Sequence, residues 1–125
     1  MNLLLDTHVL LWWLADDSRL SPDTGKAISD PENIVLVSAV TIWEIVIKKG
    51  LGKLAIPDEW YDAIADEPFQ RLPITWEHSR KVADLPELHR DPFDRLLVAQ
   101  AIVENLVLVT GDEKVLRYDI SVLNA

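Results

Sequence analysis

Four carboxylate side chains in this 125-residue chain occupy positions from which a fold could bring them together: Asp6, Glu44, Asp94 and Asp112. Two of them follow short aliphatic runs. Asp6 comes directly after Leu3–Leu5, and Asp112 lies three residues beyond Leu106–Val109. Such runs predict strands buried on both faces, as in the middle of a parallel sheet. Acids at the carboxyl ends of these strands lie where open α/β sheets bind ligands.

Each of these two acids also has a simpler role open to it. Asp6 or Thr7 alternatively caps the helix predicted over His8–Leu14, because Asp and Thr are favoured at N-caps. Gly111-Asp112 alternatively forms an ordinary turn. Taken one at a time, the two acids do not decide between a structural and a chemical role.

Glu44 is the only charged residue between Ser38 and Ile47. A helix this apolar is nearly surrounded by protein, so its one acid is expected to be at least partly enclosed. The alternative is an exposed ion pair with Lys48 at i, i+4, which is worth only a few tenths of a kcal/mol.

Asp94 lies near the start of the helix predicted from Asp91-Pro92 to about Asn105. Its neighbours on one helix face are apolar, so an acid there needs a cation or hydrogen-bond donors. The alternative is an acid that interacts favourably with the helix dipole. Asp91, followed by Pro, has the usual signature of an N-cap and is interpreted as mainly structural, with an outer role beside Asp94 left open.

Two predicted strands and two predicted helices thus deliver acids to the same edge of a parallel sheet. Carboxylates brought that close cannot all stay ionised without a counter-charge. Hard divalent cations with oxygen ligands, Mg²⁺ or Mn²⁺, are the natural counter-charge. The sequence therefore predicts a carboxylate metal site formed by Asp6, Glu44, Asp94 and Asp112.

The elements that must position these acids alternate along the chain. The pattern predicts the order β-α-α-β-α-α-β-α-α-β-α-β, with an edge strand over Phe69–Ile74 because a proline interrupts it. The helix before this edge strand is predicted to begin at Pro57, and the last strand is predicted over Ile120–Leu123. Alternation of this kind predicts the α/β class: a three-layer α/β/α sandwich with a central, mainly parallel sheet. Residues 1–125 are expected to form a single domain.

The composition of the chain narrows the classes of protein to which it can belong. The chain has no cysteine, which excludes disulfides and thiolate metal sites. No apolar run approaches the roughly 18 residues that span a bilayer, and no signal peptide is predicted, so we expect a cytoplasmic protein with no membrane association. A net charge of −9 argues against a general electrostatic grip on nucleic acid, although bound cations can supply positive charge locally.

Four motifs in order resemble those of the PIN-domain ribonucleases, specifically the VapC-like toxins of type II toxin–antitoxin systems. The motifs span almost the whole chain: Leu4-Leu5-Asp6-Thr7, Ser38–Ile45, His89–Arg95 with Leu97–Ala101, and Val109–Asp112. The resemblance implies a PIN-like fold and a Mg²⁺-dependent endoribonuclease. Water activated by the metal would attack an RNA phosphodiester and leave a 5′-phosphate and a 3′-hydroxyl.

The resemblance also assigns roles to residues and partners. Asp6, Glu44, Asp94 and Asp112 fall on the four acidic positions of the family, and Thr7 and Thr110 fall on hydroxyl positions beside them. The implied partners are an RNA substrate, a cognate antitoxin and a second copy of the chain in a homodimer. An antitoxin could place an arginine against the carboxylates in place of the metal.

Other classes fit less well. A receiver domain would need an acidic pair after its first strand and a phospho-acceptor Asp after a middle strand, where this chain has Ser38. A haloacid-dehalogenase-like phosphatase would need Asp-x-Asp, and residue 8 is His8. A non-catalytic PIN-like module that binds RNA or protein remains the alternative. The three histidines show no paired spacing and are interpreted as capped or exposed rather than as a metal set.

Overall fold

The computed structural model describes all residues from 1 to 125. Its strands are β1 (Asn2–Leu5), β2 (Ile34–Ser38), β3 (Gln70–Leu72), β4 (Val107–Thr110) and β5 (Val122–Asn124). Its helices are α1 (Thr7–Leu14), α2 (Pro22–Ser29), α3 (Ala39–Gly50), α4 (Trp60–Ala65), α5 (Trp76–Lys81) and α6 (Pro92–Val103). Short 3₁₀ turns follow α5 at Val82–Asp84 and β4 at Val115–Arg117. No helix is both long and apolar enough to cross a lipid bilayer.

The strands form one sheet in the order β3-β2-β1-β4-β5, and every neighbouring pair is parallel. The central strand β1 pairs Leu4 with Leu36 of β2 on one side and with Leu108 of β4 on the other. The predicted α/β sandwich is confirmed, with a sheet that is parallel throughout. The predicted edge strand is also confirmed as β3, which ends just before Pro73.

The first strand is buried on both faces, as its three leucines predict. Leu4 packs into a core cluster with residues of α6, whereas Leu3 and Leu5 pack on the opposite face with residues of α1 and α2. All three are fully buried. Burying a leucine contributes about 1.5–3 kcal/mol, so this run anchors both layers to the sheet.

The order of the strands creates a switch point beside β1. After β1 the chain adds β2 and β3 on one side, and then crosses to the other side for β4 and β5. At such a point the connections leave two neighbouring strands in opposite directions, which opens a crevice at their carboxyl ends. The crevice lies between the ends of β1 and β4, where Asp6 and Thr110 are located.

The helix and strand ends differ from the prediction in two places. The helix expected from Pro57 begins at Trp60, because the Trp60 amide closes a turn on the Pro57 carbonyl and Asp58 pairs with Lys49. The last strand, expected over Ile120–Leu123, is formed by Val122–Asn124 instead, in register with Leu108–Thr110.

A buried polar network joins α6 to the edge of the sheet. Gln100 is fully buried; its Oε1 accepts a hydrogen bond from Ser38 Oγ at 2.6 Å, and its Nε2 donates to the Pro73 carbonyl at 3.2 Å. Nε2 also lies 3.2 Å from Nδ1 of His78, a fully buried ring whose Nε2 lies 3.0 Å from Glu104 Oε1. Of the capped and exposed roles interpreted for the histidines, His78 has the capped one: its Nδ1 accepts the Thr75 backbone N–H at 3.0 Å at the start of α5, and the network encloses the ring.

Gln100→Leu keeps a similar volume but removes the partners of the Ser38 hydroxyl and the Pro73 carbonyl. Buried polar groups left unpaired cost about 1–3 kcal/mol each. We expect the free energy of unfolding to fall by about 2–4 kcal/mol, measured by urea denaturation with circular dichroism. A loss below about 0.5 kcal/mol, the size of an ordinary surface substitution, would show that the network does not stabilise the fold.

Candidate metal centre

The four predicted acids all line one cleft of about 370 Å³ at the switch point. The cleft is also lined by Thr7, Asp91, two histidines and two lysines: His8, His89, Lys48 and Lys53. The sheet brings Asp6 and Asp112 to this edge from the ends of β1 and β4. Helices α3 and α6 bring Glu44 and Asp94 to the same cleft, because both helices begin at this edge of the sheet.

Asp6 is buried, with only 2% of the residue exposed. Its Oδ1 accepts the Thr7 backbone N–H at 2.7 Å, and its Oδ2 accepts the Thr110 hydroxyl at 2.7 Å. Asp6 is therefore both the N-cap of α1 and a member of the cleft. Burial raises the pKa of its carboxyl above the usual 3.8, since the charged form loses its hydration, although His8 and these donors oppose the rise.

Glu44 is enclosed, as its apolar neighbours predict, with 5% of the residue exposed. Its Oε1 accepts the Thr7 hydroxyl at 2.6 Å, and its Oε2 pairs with Lys48 Nζ. Lys48 is partly exposed, and its hydrogen bond to Glu44 raises the pKa of the Lys48 ammonium. The i, i+4 pair is thus present, but it neutralises an acid inside the cleft rather than one on the surface.

Asp94 has a strongly raised pKa. Its side chain is 13% exposed, and its position on the first turn of α6 directs it to the other acids. Burial raises the pKa of its carboxyl to about 8, and the charges of Asp6, Asp91, Glu44 and Asp112 add to the rise. A carboxyl in this state is protonated at neutral pH unless a cation arrives to balance the cluster.

Asp112 is the most accessible of the four acids, with 32% of its side chain exposed. Its Oδ1 accepts the Lys114 backbone N–H at 2.8 Å, so the Gly-Asp turn is real. Its Oδ2 faces the cleft at 3.4 Å from His89 Nε2. Its own backbone N–H donates to the Thr110 hydroxyl at 3.1 Å, which links Asp112 to the residue that holds Asp6.

Asp91 forms the N-cap of α6, as the Asp-Pro signature predicts. Its Oδ1 accepts the backbone N–H groups of Phe93 at 2.9 Å and Asp94 at 3.1 Å. The residue borders the cleft and contributes to the raised pKa of Asp94. Its hydrogen bonds are those of a helix cap, and an outer role beside Asp94 remains compatible with its position.

Residues 3–121 match the sequence profile of the family described as PIN domain. The chain belongs to the PIN domain family. It is 33% identical over 117 residues to Ribonuclease VapC22 of Mycobacterium tuberculosis, which covers 90% of this chain and 88% of that protein. The predicted family is thereby confirmed, and the residues that match the family, 3–121, include every acid of the cleft.

Solved structures show the same fold. VapBC2 from Rickettsia felis, crystallised with a DNA fragment from its promoter, aligns with a TM-score of 0.75 at 18% identity and covers 99% of this chain and 98% of that one. A toxin–antitoxin complex from Klebsiella pneumoniae aligns with a TM-score of 0.66 at 22% identity and covers 97% and 95%. At these identities the similarity establishes the PIN fold of the chain.

The donor set of this PIN domain suits a divalent cation. Carboxylate oxygens dominate the cleft, and oxygen is the donor that Mg²⁺ and Mn²⁺ prefer. The raised pKa of Asp94 indicates a surplus of negative charge that Lys48 does not remove, because Lys48 is engaged by Glu44. The candidate ligand atoms of His89, Asp94 and Asp112 all lie within 4.8 Å of one another. Asp6 and Glu44 line the same cleft outside this tight cluster.

Sequence reasoning missed the histidines of the cleft. His89 lies 2.8 Å from Asp94, and His8 lies 3.4 Å from Asp6. No spacing links these two rings, because one follows β1 and the other precedes α6. The available signal was proximity in sequence: His8 lies two residues from Asp6, and His89 lies five residues from Asp94 within the motif that carries the resemblance.

Asp94→Asn should change how stability depends on pH in the metal-free protein. The pKa of Asp94 is raised from 3.8 to about 8 by folding, so its ionisation is disfavoured in the folded state. This penalty is absent below pH 3.8 and grows as the pH rises to about 8. Asparagine carries no such penalty, so the variant should be more stable than the wild type by on the order of 5 kcal/mol at about pH 8.

Thermal melts in EDTA at about pH 5 and about pH 8.5 measure this difference. The melting temperature of the wild type should fall more between the two values than that of Asp94→Asn. Asp58→Asn, which removes a charge from a side chain that is 91% exposed, serves as the control and should follow the wild type. Parallel pH profiles for wild type and Asp94→Asn would mean that Asp94 carries no buried charge penalty.

Proposed function

We propose that this PIN domain is a Mg²⁺- or Mn²⁺-dependent endoribonuclease and the toxin of a toxin–antitoxin pair. The observation that carries the proposal is the enclosed acid cluster at the switch point, in which Asp94 has a pKa raised to about 8 by burial and by neighbouring carboxylates. The 33% identity to a protein named as a ribonuclease supports the choice of RNA as substrate. The acids would hold the ion: Asp6, Glu44, Asp94 and Asp112.

A bound divalent ion would supply a Lewis acid that lowers the pKa of the attacking water and offsets charge on the phosphoryl oxygens. The oxygen of that water would form the new bond to phosphorus, in line with the P–O3′ bond that breaks. The 3′ oxygen leaves and takes up a proton, which gives a 3′-hydroxyl and a 5′-phosphate on the other fragment. The protein contributes mainly placement and charge to this reaction.

Two threonine hydroxyl groups hold the carboxylates of Asp6 and Glu44 in place. Thr7 and Thr110 each donate a short hydrogen bond, to Glu44 Oε1 at 2.6 Å and to Asp6 Oδ2 at 2.7 Å. Both hydroxyls are buried, so the bonds are shielded from competing water. Each bond occupies one oxygen and orients the carboxylate, which supports the role beside the acids that the family resemblance implies for these two residues.

Lys48 and Lys53 bring positive charge to the cleft. The Lys48 ammonium group pairs with Glu44 and is partly exposed at the rim of the cleft, and Lys53 lines the same cleft. In a chain with a net charge of −9, these two lysines provide local positive charge beside the acids. Attraction of an RNA phosphate is expected to depend on these lysines and on the divalent ion rather than on the overall surface.

The central prediction concerns RNA cleavage. The purified chain should cut single-stranded or loop RNA with Mg²⁺ or Mn²⁺, and EDTA should abolish the reaction. Asp94→Asn keeps the size of the side chain but removes a charge that balances the ion, so kcat should fall by about a hundredfold or more. Asp91→Asn is the matched variant, since Asn caps a helix about as well as Asp, and it should retain much of the activity. Gel analysis of structured RNAs measures all three proteins.

The outcomes separate an enzyme from a binding module. Equal cleavage by wild type and Asp94→Asn would indicate a contaminating nuclease and would contradict the mechanism. Tight RNA binding without metal and without cleavage would favour the non-catalytic module instead. With a net charge of −9, metal-free binding is expected to be weak, and it should weaken further as salt is added.

The partner in this proposal is an antitoxin that covers an apolar groove beside the cleft. The groove, about 690 Å³, lies between α3, α4 and β3 and exposes Trp43, Val46 and Tyr61. Exposed apolar surfaces of this kind are typical of protein interaction sites. Helix α3 presents Trp43 and Val46 to the groove and Glu44 and Lys48 to the cleft. A segment that lies in the groove could therefore reach around α3 and place an arginine against the acids.

The protein isolated from its native source should elute as a complex that contains two copies of the chain and a small basic protein. An acidic surface favours a basic partner, and the relatives include toxin–antitoxin complexes. Light scattering with mass spectrometry measures the stoichiometry. Trp43→Ser, which removes an aromatic side chain from the groove, should reduce recovery of the partner. A monomer that carries no partner would contradict this part of the proposal.

A further inference from the structure

We propose that His89 is a positioning residue that holds Asp94 and Asp112 in the arrangement that binds the metal ion. The inference rests on the proposed function, since it concerns the same cleft. It assigns a role to a side chain that the acid pattern of the sequence does not include. The role is to donate a hydrogen bond to the carboxylates and not to coordinate the ion.

The ring of His89 is fixed from its own loop. The Asp91 backbone N–H donates to Nδ1 at 3.2 Å, and only 10% of the side chain is exposed. The Asp91 carboxylate in turn caps α6 through the amides of Phe93 and Asp94. The guanidinium of Arg95 reaches back to the His89 carbonyl at 3.4 Å. The loop and the start of the helix thus form one rigid support for the ring.

The contact with Asp91 decides which nitrogen carries the proton. Nδ1 accepts a hydrogen bond, so in the neutral ring the proton is on Nε2. Nε2 lies 2.8 Å from Asp94 Oδ2 and 3.4 Å from Asp112 Oδ2. It is buried and makes no well-aligned hydrogen bond to either oxygen. With the proton on Nε2, the acceptors within reach of this buried N–H are therefore the Oδ2 atoms of Asp94 and Asp112.

This geometry distinguishes a donor from a ligand. A nitrogen that carries a proton has no free electron pair for a metal ion, so His89 in this tautomer cannot coordinate one through Nε2. Its N–H instead opposes the repulsion between Asp94 and Asp112 and fixes their separation. Groups that hydrogen-bond metal ligands in this way typically account for about 10–100-fold in metal affinity.

The test uses Mn²⁺ alone as the probe, measured by calorimetric titration of the full chain. His89→Leu removes the donor, and we expect Mn²⁺ to bind about 10–100-fold more weakly. His89→Gln can place an amide N–H near the position of Nε2, so it should restore most of the affinity. RNA cleavage by His89→Leu should be impaired at low Mn²⁺ and should recover as Mn²⁺ approaches saturation. A role confined to folding would not give this dependence on metal concentration.

A spectroscopic measurement distinguishes coordination of the ion by His89 from hydrogen bonding of His89 to the carboxylate ligands. Pulsed electron paramagnetic resonance of the Mn²⁺-bound wild type should show no strong coupling to a directly bonded ¹⁴N nucleus. His78→Gln is the matched control, because His78 is a buried histidine beyond Gln100, outside the cleft. It should lower the melting temperature and leave Mn²⁺ affinity unchanged.

Three results would overturn the assignment. The first is an unchanged Mn²⁺ affinity in His89→Leu. The second is an equal loss of Mn²⁺ affinity in His89→Leu and His89→Gln. The third is a strong ¹⁴N coupling in the wild type that disappears in His89→Leu. The proposed function fails differently. A wild type that binds Mn²⁺ with the expected dependence on His89 but cuts no RNA would leave the assignment standing and contradict the nuclease. A wild type that binds no Mn²⁺ would contradict both.

Discussion

The candidate metal centre depends on one constraint: the fold must hold mutually repelling carboxylates close together in a single cleft. Burial and like charge raise the pKa of Asp94 to about 8, which shows how unfavourable a fully ionised cluster is without an added cation. The surrounding groups reduce this cost one acid at a time. Thr110 donates to Asp6, Thr7 and Lys48 bind Glu44, and each bond leaves part of the negative charge facing the cleft. The remaining charge is what a divalent ion can balance.

The fold creates this arrangement because a parallel sheet collects strand ends at one edge. The strand order β3-β2-β1-β4-β5 places the reversal of chain direction between β1 and β4, so a crevice opens there without any special loop. The residues at this edge also have ordinary structural roles. Asp6 caps α1, Asp91 caps α6 and Ser38 caps α3. Cap and site are compatible in Asp6, because its Oδ1 accepts the Thr7 backbone amide while its Oδ2 accepts the Thr110 hydroxyl and the residue lines the cleft.

The sequence predicts the parts of this account that depend on local pattern. Three consecutive leucines predict a strand buried on both faces, and a single acid in an apolar helix predicts the enclosure of Glu44. The sequence does not predict His89, because its loop has no periodicity and its ring meets Asp112 only after α6 and β4 pack together. The burial of His78 depends in the same way on Gln100, which is 22 residues away in the chain. Long-range partners of polar side chains are decided by tertiary packing, which a pattern read along the chain does not contain.

A crystal structure of the protein soaked in Mn²⁺, with anomalous diffraction collected at the manganese edge, tests the central claim most directly. We expect an anomalous peak inside the cleft, with carboxylate oxygens of Asp94 and Asp112 among the ligands of the ion. His89 should be hydrogen-bonded to these carboxylates and should not coordinate the ion. In crystals of Asp94→Asn the peak should be lost or strongly weakened. A cleft without a peak at millimolar Mn²⁺, or a peak confined to exposed acids elsewhere on the surface, would contradict the account.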